Sequence, residues 1–267
     1  MVQVTETDRR TALRTGAGLL AAGALTAGCA SHGAVAHPAP SAHPSTSPSE
    51  SATAATPAAA PSPRRFAGQP AQLLHGPRNR PRVALTFHGQ GDPAIARSLL
   101  TEAEKHGAHL TVLAVGTWLD QYPDIARRIL DGGHDLGNHT QRHLGIDTMS
   151  EADARAEITA CADRLRRLTG SIGTWFRPSR APQATPLVTR LAREAGYPHV
   201  LSYDVDSLDY TRPGATAITR KIMGEVRNGS VVSMHFGYPD TVTALPAVLE
   251  ELARRGLSAV TTTELFS

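Results

Sequence analysis

The sequence Asp-Leu-Gly-Asn-His-Thr-Gln-Arg-His-Leu, residues 135–144, joins a short predicted strand to two histidines four positions apart. Residues four apart lie on one face of a helical turn, so His139 and His143 can reach a single metal ion from such a turn. The spacing alone is weak evidence, because the chain has 12 histidines and the usual histidine is a surface or satisfied core residue. The rest of the sequence must support the pair.

Around this stretch, short β-branched runs alternate with longer amphipathic ones. We predict strands at residues 82–87, 110–115, 134–138, 174–177, 199–204, 230–234 and 257–262, with helices between them, among them 92–106, 150–168, 185–195 and 215–226. This alternation predicts an α/β fold with a parallel sheet and helical crossovers. A barrel and an open doubly wound sheet are both compatible with it, and both bind ligands at the carboxyl ends of their strands.

The first 29 residues have the pattern of an export signal. Arg9 and Arg10 precede an uncharged run, residues 15–28, that is too short to span a bilayer comfortably. Cys29 follows at once and resembles a lipoprotein processing site, which predicts a lipid anchor on the outer face of the bacterial cytoplasmic membrane. The alternative is an ordinary signal peptide with Ala34-Val35-Ala36 as its cleavage site, which predicts secretion.

Residues 30–79 are dominated by Ala, Pro and Ser and show no apolar periodicity. Such a segment cannot bury enough apolar surface to offset its chain entropy, so we predict a disordered tether before a folded domain at residues 80–267. The formal net charge of +3 is small, and no basic stripe is interleaved with aromatics. We therefore expect no nucleic-acid partner, and we expect a monomer.

Chemically capable side chains stand at or just past the ends of the predicted strands: His88, His139, Arg177, Asp206 with Asp209, and His235. The carboxyl ends of parallel strands meet at one edge of a sheet or one mouth of a barrel, so we expect these groups to lie close together. Such a set is far more specific than the histidine pair alone.

These motifs resemble those of the polysaccharide deacetylases with a NodB homology domain, carbohydrate esterase family 4, over residues 82–266. Residues 139–143, His-Thr-Gln-Arg-His, match the family's His-Ser/Thr-x-x-His. Arg-x-Pro-Tyr is matched in part at Phe176-Arg177-Pro178-Ser179, Asp-x-x-Asp-Trp is approximated by residues 206–210, and Leu-x-His corresponds to Ser233-Met234-His235. The resemblance implies a distorted (β/α)7 barrel that removes N-acetyl or O-acetyl groups from an N-acetylated polysaccharide.

The same resemblance implies a divalent metal, zinc in the first place, and roles for individual residues. His139 and His143 correspond to the family's two metal-ligating histidines. Arg177 corresponds to the arginine that orients the general base. His235 corresponds to the general acid, with Asp209 tuning it.

The first motif departs most from the family pattern. The family has Thr-Phe-Asp-Asp-Gly, in which the first Asp is the general base and the second a metal ligand; this chain has His88 and Gly89 there. A catalytic zinc site usually has three protein ligands, so one is missing. Either Asp92 supplies it and His88 serves as the base, or His88 is itself the third ligand. We favour Asp92, although it is also a good helix N-cap residue.

Two functions follow from these residues. The first is a metal-dependent deacetylase of cell-envelope polysaccharide. The second is a carbohydrate-binding lipoprotein on the same barrel, without turnover. We expect the enzyme, because the metal-binding histidines, Arg177 and His235 are all present.

Overall fold

The computed structural model describes residues 60–267, so the export signal, Cys29 and residues 30–59 of the expected tether lie outside the described residues. In chain order the strands are β1 (Gln72–Leu73), β2 (Arg82–Gly89), β3 (Thr111–Ala114), β4 (Asp135–Asn138), β5 (Val200–Leu201), β6 (Val205–Asp206), β7 (Val231–His235) and β8 (Ser258–Ala259). The helices are α1 (Pro93–Lys105), α2 (Gly116–Gln121), α3 (Asp124–Asp131), α4 (Glu151–Thr169), α5 (Pro186–Glu194), α6 (Ala215–Glu225), α7 (Pro239–Arg254) and α8 (Thr262–Phe266). Among the described residues, no helix combines the length and apolar character needed to cross a membrane.

The strands form a distorted parallel barrel, as the family resemblance implied. The main sheet runs β4-β3-β2-β7-β6, with every pairing parallel. Single bridges from Asn138 to Phe176 and from Phe176 to Val200 continue it to β5, which pairs with β1. The chain itself, residues 202–204, then leads from β5 to β6.

Three predicted strands are shorter than expected. The segment 257–262 contributes only β8, because Thr261 caps α8 and Thr262 begins that helix. The segment 174–177 contributes one bridging residue, Phe176, because Pro178 lacks the N–H that would continue a ladder. Only Val200–Leu201 of the segment 199–204 forms a strand, β5. The backbone beyond it changes hydrogen-bond partners, since the Ser202 N–H donates to Leu73 O and the Asp204 N–H donates to Val231 O. The strand ladder is therefore interrupted at the segments 174–177 and 199–204.

Alternation along the strands directs polar groups into the barrel. Leu85 and Phe87 on β2 belong to the main core cluster, which they share with residues of the surrounding helices. Side chains of a strand alternate between its two faces, so Thr86 and His88 face the other way, into the barrel. His88 is in register with His235 on β7, and Thr86 is in register with Ser233. A polar mouth therefore forms at the carboxyl ends of β2 and β7.

The predicted domain boundary at residue 79 is wrong, because the chain is folded from residue 60. Leu73 is only 1% exposed, and Phe66 stacks on Trp175 with ring centroids 5.5 Å apart. The Phe66 N–H donates to His199 Nε2 at 3.0 Å, and the Ala60 N–H donates to Thr169 O at 2.9 Å. Two apolar anchors and a two-residue strand have no periodicity, which is why the sequence pattern did not reveal them.

Candidate metal and catalytic site

The loop after β4 brings His139 and His143 together. It contains no helical turn, contrary to the expectation from their spacing; instead Thr140 and His143 have left-handed backbones, with φ of 68° and 58°. Asn138 stabilises the loop, since its Oδ1 accepts from the Thr140 N–H at 2.8 Å. The two imidazole rings end 4.8 Å apart between centroids. The pair is thus held by a strained loop and not by helical periodicity.

His88 completes a group of three histidines. One ring nitrogen from each of His88, His139 and His143 lies within 4.8 Å of the others. His139 Nδ1 is 3.0 Å from the carbonyl oxygen of Arg177, which can only accept, so this nitrogen donates and Nε2 carries the lone pair. A ligating histidine is typically oriented by such a bond from its other nitrogen.

The surroundings favour neutral imidazoles. Burial lowers the pKa of His88 and of His139 well below the usual value, and the neighbouring histidines and Arg177 act in the same direction. Burial, with the charge of Arg180, lowers the pKa of His143 to about 4. Because a metal ion binds the deprotonated ring nitrogen, three neutral imidazoles are a donor set that suits zinc.

Asp92 is not brought to this group. It is exposed and forms the N-cap of α1, where its Oδ1 accepts from the Ala94 N–H at 2.8 Å. Its carboxylate is therefore engaged with the helix amides, as N-cap residues are. The third ligand that we favoured from the sequence, Asp92, is therefore not part of the group formed with His139 and His143, whereas a nitrogen of His88 is.

Gly89 has no room for the carboxylate that the family places there. A Cβ at this position would lie 2.9 Å from Val112 Cγ1, 3.0 Å from Ala114 Cα and 3.2 Å from Trp118 Cζ3. Since successive side chains of a strand point to opposite faces, residue 89 faces the helix layer while His88 faces the barrel mouth. The packing of β2 against β3 and Trp118 thus leaves no space for a carboxylate side chain at residue 89.

Arg177 lies fully buried beneath the histidines. Its Nη2 donates to Thr86 Oγ1 at 2.9 Å and to Ser202 O at 3.0 Å, and its Nη1 is 3.5 Å from His88 Nε2. Burial lowers the pKa of the guanidinium to about 10, so it is still charged at neutral pH. It therefore lies beside His88, the residue at the family's base position.

His235 and Asp209 form a dyad on the other side of His88. Asp209 is 0% exposed; His235 Nδ1 donates to its Oδ1 at 2.7 Å, while the His235 N–H and the Thr241 hydroxyl donate to its Oδ2, each at 2.8 Å. This fixes the proton on Nδ1 and leaves Nε2 as the second functional nitrogen. The rings of His235 and His88 are stacked 4.3 Å apart.

These groups open into a cleft of about 690 Å³. Its wall contains three tyrosines, two arginines and one further carboxylate beside the histidines: Tyr203, Tyr210, Tyr238, Arg180, Arg212 and Asp206. Tyr210, at the position where the family has Trp, is 45% exposed. Aromatic faces beside hydrogen-bonding groups suit the binding of a sugar chain.

Two residues of the site were not assigned a role from the sequence. Thr241 holds Asp209 from α7, and no local pattern marks it. Ser233 Oγ lies 3.0 Å from His88 Nε2. The sequence did carry a signal for Ser233, because it stands two residues before His235 on a strand, and residues two apart share a face.

Comparison with known proteins identifies relatives of this barrel. The family model described as polysaccharide deacetylase matches residues 75–200. A peptidoglycan-N-acetylglucosamine deacetylase of Bacillus cereus is 30% identical over 71% of this chain and 90% of its own length.

Solved structures give the same result for the fold. A crystal structure of a peptidoglycan N-acetylglucosamine deacetylase superposes with a TM-score of 0.70 at 28% identity, covering 73% of this chain and 92% of the other. A pseudoenzyme of carbohydrate esterase family 4 from Bacillus anthracis superposes with the same TM-score of 0.70 at 24% identity, covering 74% and 70%. The barrel thus occurs both in an enzyme and in a pseudoenzyme.

Proposed function

Because the chain belongs to the polysaccharide deacetylase family, we propose that it is a metal-dependent hydrolase that removes N-acetyl groups from an envelope polysaccharide. We assign His88, His139 and His143 as the ligands of a divalent metal, zinc by the preference of three imidazoles. The observation that carries the proposal is this set of nitrogens at the carboxyl mouth of the barrel. When bound, the metal supplies an activated water and polarises the acyl carbonyl.

The remaining residues hold the substrate and move protons. His235 is fixed by Asp209 with its Nδ1 proton towards the carboxylate, so Nε2 is the atom that would take the proton of the attacking water and pass it to the leaving amine. Burial, with the charges of the neighbouring histidines and of Arg177 acting in the same direction, lowers the pKa of His88 and keeps that ring neutral, as a metal ligand requires. The tyrosines of the cleft provide faces for the sugar rings.

The named relatives indicate the class of substrate. The Bacillus cereus relative is a peptidoglycan-N-acetylglucosamine deacetylase, and N-acetylhexosamine in peptidoglycan is accordingly the substrate we propose. O-acetyl groups on the same polymer are the alternative groups to be removed, with a sugar hydroxyl as the leaving group. The test measures acetate released from peptidoglycan fragments together with the new group on the sugar. A new amine indicates removal of N-acetyl groups, and a new hydroxyl indicates removal of O-acetyl groups.

Paired substitutions test the ligand assignment. His88→Ala should remove stoichiometric zinc, because two imidazoles leave too few protein donors to fix a catalytic site. Asp92→Ala should keep zinc and acetate release, and lower the free energy of unfolding by about 1 kcal/mol through loss of the N-cap. Zinc content by metal analysis and acetate release are measured on both variants.

The opposite pattern, in which Asp92→Ala empties the site and His88→Ala keeps the metal, would restore Asp92 as the ligand and His88 as the base. In that case the rate of His88→Ala should fall by about 10²–10⁴-fold, as for loss of a general base. Wild-type protein that holds no zinc after dialysis against the metal contradicts the metal-dependent enzyme altogether.

A second candidate is a carbohydrate-binding protein without turnover. It is favoured by one observation: both carboxylates of the family's first motif are replaced, and Gly89 cannot carry one. Such a protein would bind N-acetylated glycan in the same cleft with no acetate released. Binding measured with and without zinc, beside the acetate assay, distinguishes this candidate from the enzyme.

For the location we propose export and a lipid anchor at Cys29, on the evidence of Arg9, Arg10 and the uncharged run before the cysteine. One lipid-modified amino terminus with several chains anchors a protein firmly. Cys29→Ala in a native-type host should shift the protein from the membrane fraction to the medium or leave it unprocessed. Fractionation identical to wild type would favour the ordinary signal peptide.

A further inference from the structure

Two departures from the family pattern touch each other. The family has Asp at position 88 and Leu at position 233, whereas this chain has histidine and serine. Ser233 Oγ lies 3.0 Å from His88 Nε2, and Ser233 is only 1% exposed. The contact exists because β2 and β7 are adjacent and both side chains face the barrel mouth.

The protons of the group can be assigned from its partners. His139 Nδ1 donates to a carbonyl, so its neutral ring has the lone pair on Nε2. His88 Nδ1 lies 2.7 Å from that Nε2 and must therefore be the donor between them. The lone pair of neutral His88 is then on Nε2, where it accepts from the Ser233 hydroxyl.

This arrangement and a shared metal ion exclude each other. An ion held by both rings needs the lone pair of His139 Nε2 and that of His88 Nδ1. His88 must therefore lose the proton at Nδ1 and take one at Nε2, leaving the proton count of the ring unchanged. The new Nε2–H then needs an acceptor, and it faces the buried side chains of Ser233 and Arg177.

Only one of the two groups beside Nε2 can accept. The Arg177 guanidinium, with Nη1 at 3.5 Å, has donors and no acceptor. The Ser233 hydroxyl can turn from donor to acceptor without moving its oxygen. We infer that Ser233 is the positioning residue that allows His88 to serve as a metal ligand through Nδ1, an inference that rests on the proposed function.

Zinc affinity and the protonation pattern of His88 test this together. Ser233→Ala should weaken zinc binding by about 10–100-fold, the usual cost of losing a ligand's hydrogen-bond partner. Ser233→Thr keeps the hydroxyl and should restore affinity close to wild type. In ¹⁵N spectra of histidine-labelled wild type, His88 should carry its proton on Nδ1 after chelator treatment and on Nε2 after zinc is added.

Ser202→Ala is the matched control. Ser202 is also buried, but its hydroxyl donates to Pro182 O and not to a histidine, so its loss should leave the dissociation constant for zinc unchanged. Ser233→Ala with wild-type zinc affinity, or a His88 proton that stays on one nitrogen when zinc binds, overturns the role of Ser233 alone. Wild-type protein without zinc affinity overturns the metal site and this inference with it.

Discussion

The two ends of β4 carry the same residue in the same kind of environment, with opposite consequences. His134 precedes the strand and His139 follows it, and both are buried. The Leu110 N–H donates to His134 Nδ1 at 3.0 Å, whereas His139 Nδ1 donates to Arg177 O at 3.0 Å. The neutral rings therefore have opposite tautomers.

That difference decides what each ring can do. The lone pair of His134, on Nδ1, accepts a hydrogen bond from the Leu110 amide. Its Nε2 lies 3.4 Å from Glu104 Oε1 without a hydrogen bond. The lone pair of His139 is directed at His88 and His143, where a metal ion can use it. One hydrogen-bond partner, donor or acceptor, separates a structural histidine from the proposed metal ligand.

When each of the two histidines is substituted in turn, the largest difference is expected in metal binding. His139→Gln should abolish stoichiometric zinc and acetate release while the far-UV CD spectrum is retained, because a third of the ligand set is lost. His134→Gln is the matched control at the other end of β4, where a Gln oxygen can still accept from Leu110. It should keep zinc and activity. Equal loss of zinc in both variants would mean that burial of the strand ends, and not ligation, controls the metal.

A smaller effect is expected on stability against pH. Burial lowers the pKa of His134 to about 4, although Glu104 opposes the shift. The unfolded chain takes up this proton near pH ~6.5, before the folded one does, so stability falls as the pH is lowered from there to about 4 and is then unaffected by this group. At 1.36 kcal/mol per pKa unit the loss is about 3 kcal/mol.

Chemical denaturation at several pH values measures how the free energy of unfolding depends on pH. The site histidines also have lowered pKa values and change stability in the same pH range, so His134→Gln is needed to isolate the contribution of His134. The difference between wild type and variant should shrink towards low pH by the amount given above. A difference that is constant between pH ~6.5 and ~4 would show that His134 titrates alike in both states.

Much of the fold could be predicted from local pattern. The helix predicted at residues 150–168 is confirmed as α4, which begins at Glu151 after the N-cap residue Ser150. The failures share a cause. Phe66 and Leu73 are held by long-range contacts with Trp175 and β5, and such contacts leave no period in the sequence.

The site shows the same division. Local motifs and strand ends correctly predicted that His88, His139, Arg177 and His235 meet, because parallel strands bring their carboxyl ends together. The choice between Asp92 and His88 could not be made from spacing. Whether a carboxylate caps a helix or turns into a cleft depends on where the helix starts in three dimensions.

The sequence by itself determined the alternation of strands and helices and the departure at His88 and Gly89. Only the tertiary structure decided which nitrogen of each histidine is free, that residue 89 is closed by Val112 and Trp118, and that Ser233 lies against His88. The physical reason is that residue type sets which groups can donate or accept. Partners from distant strands set which of them do.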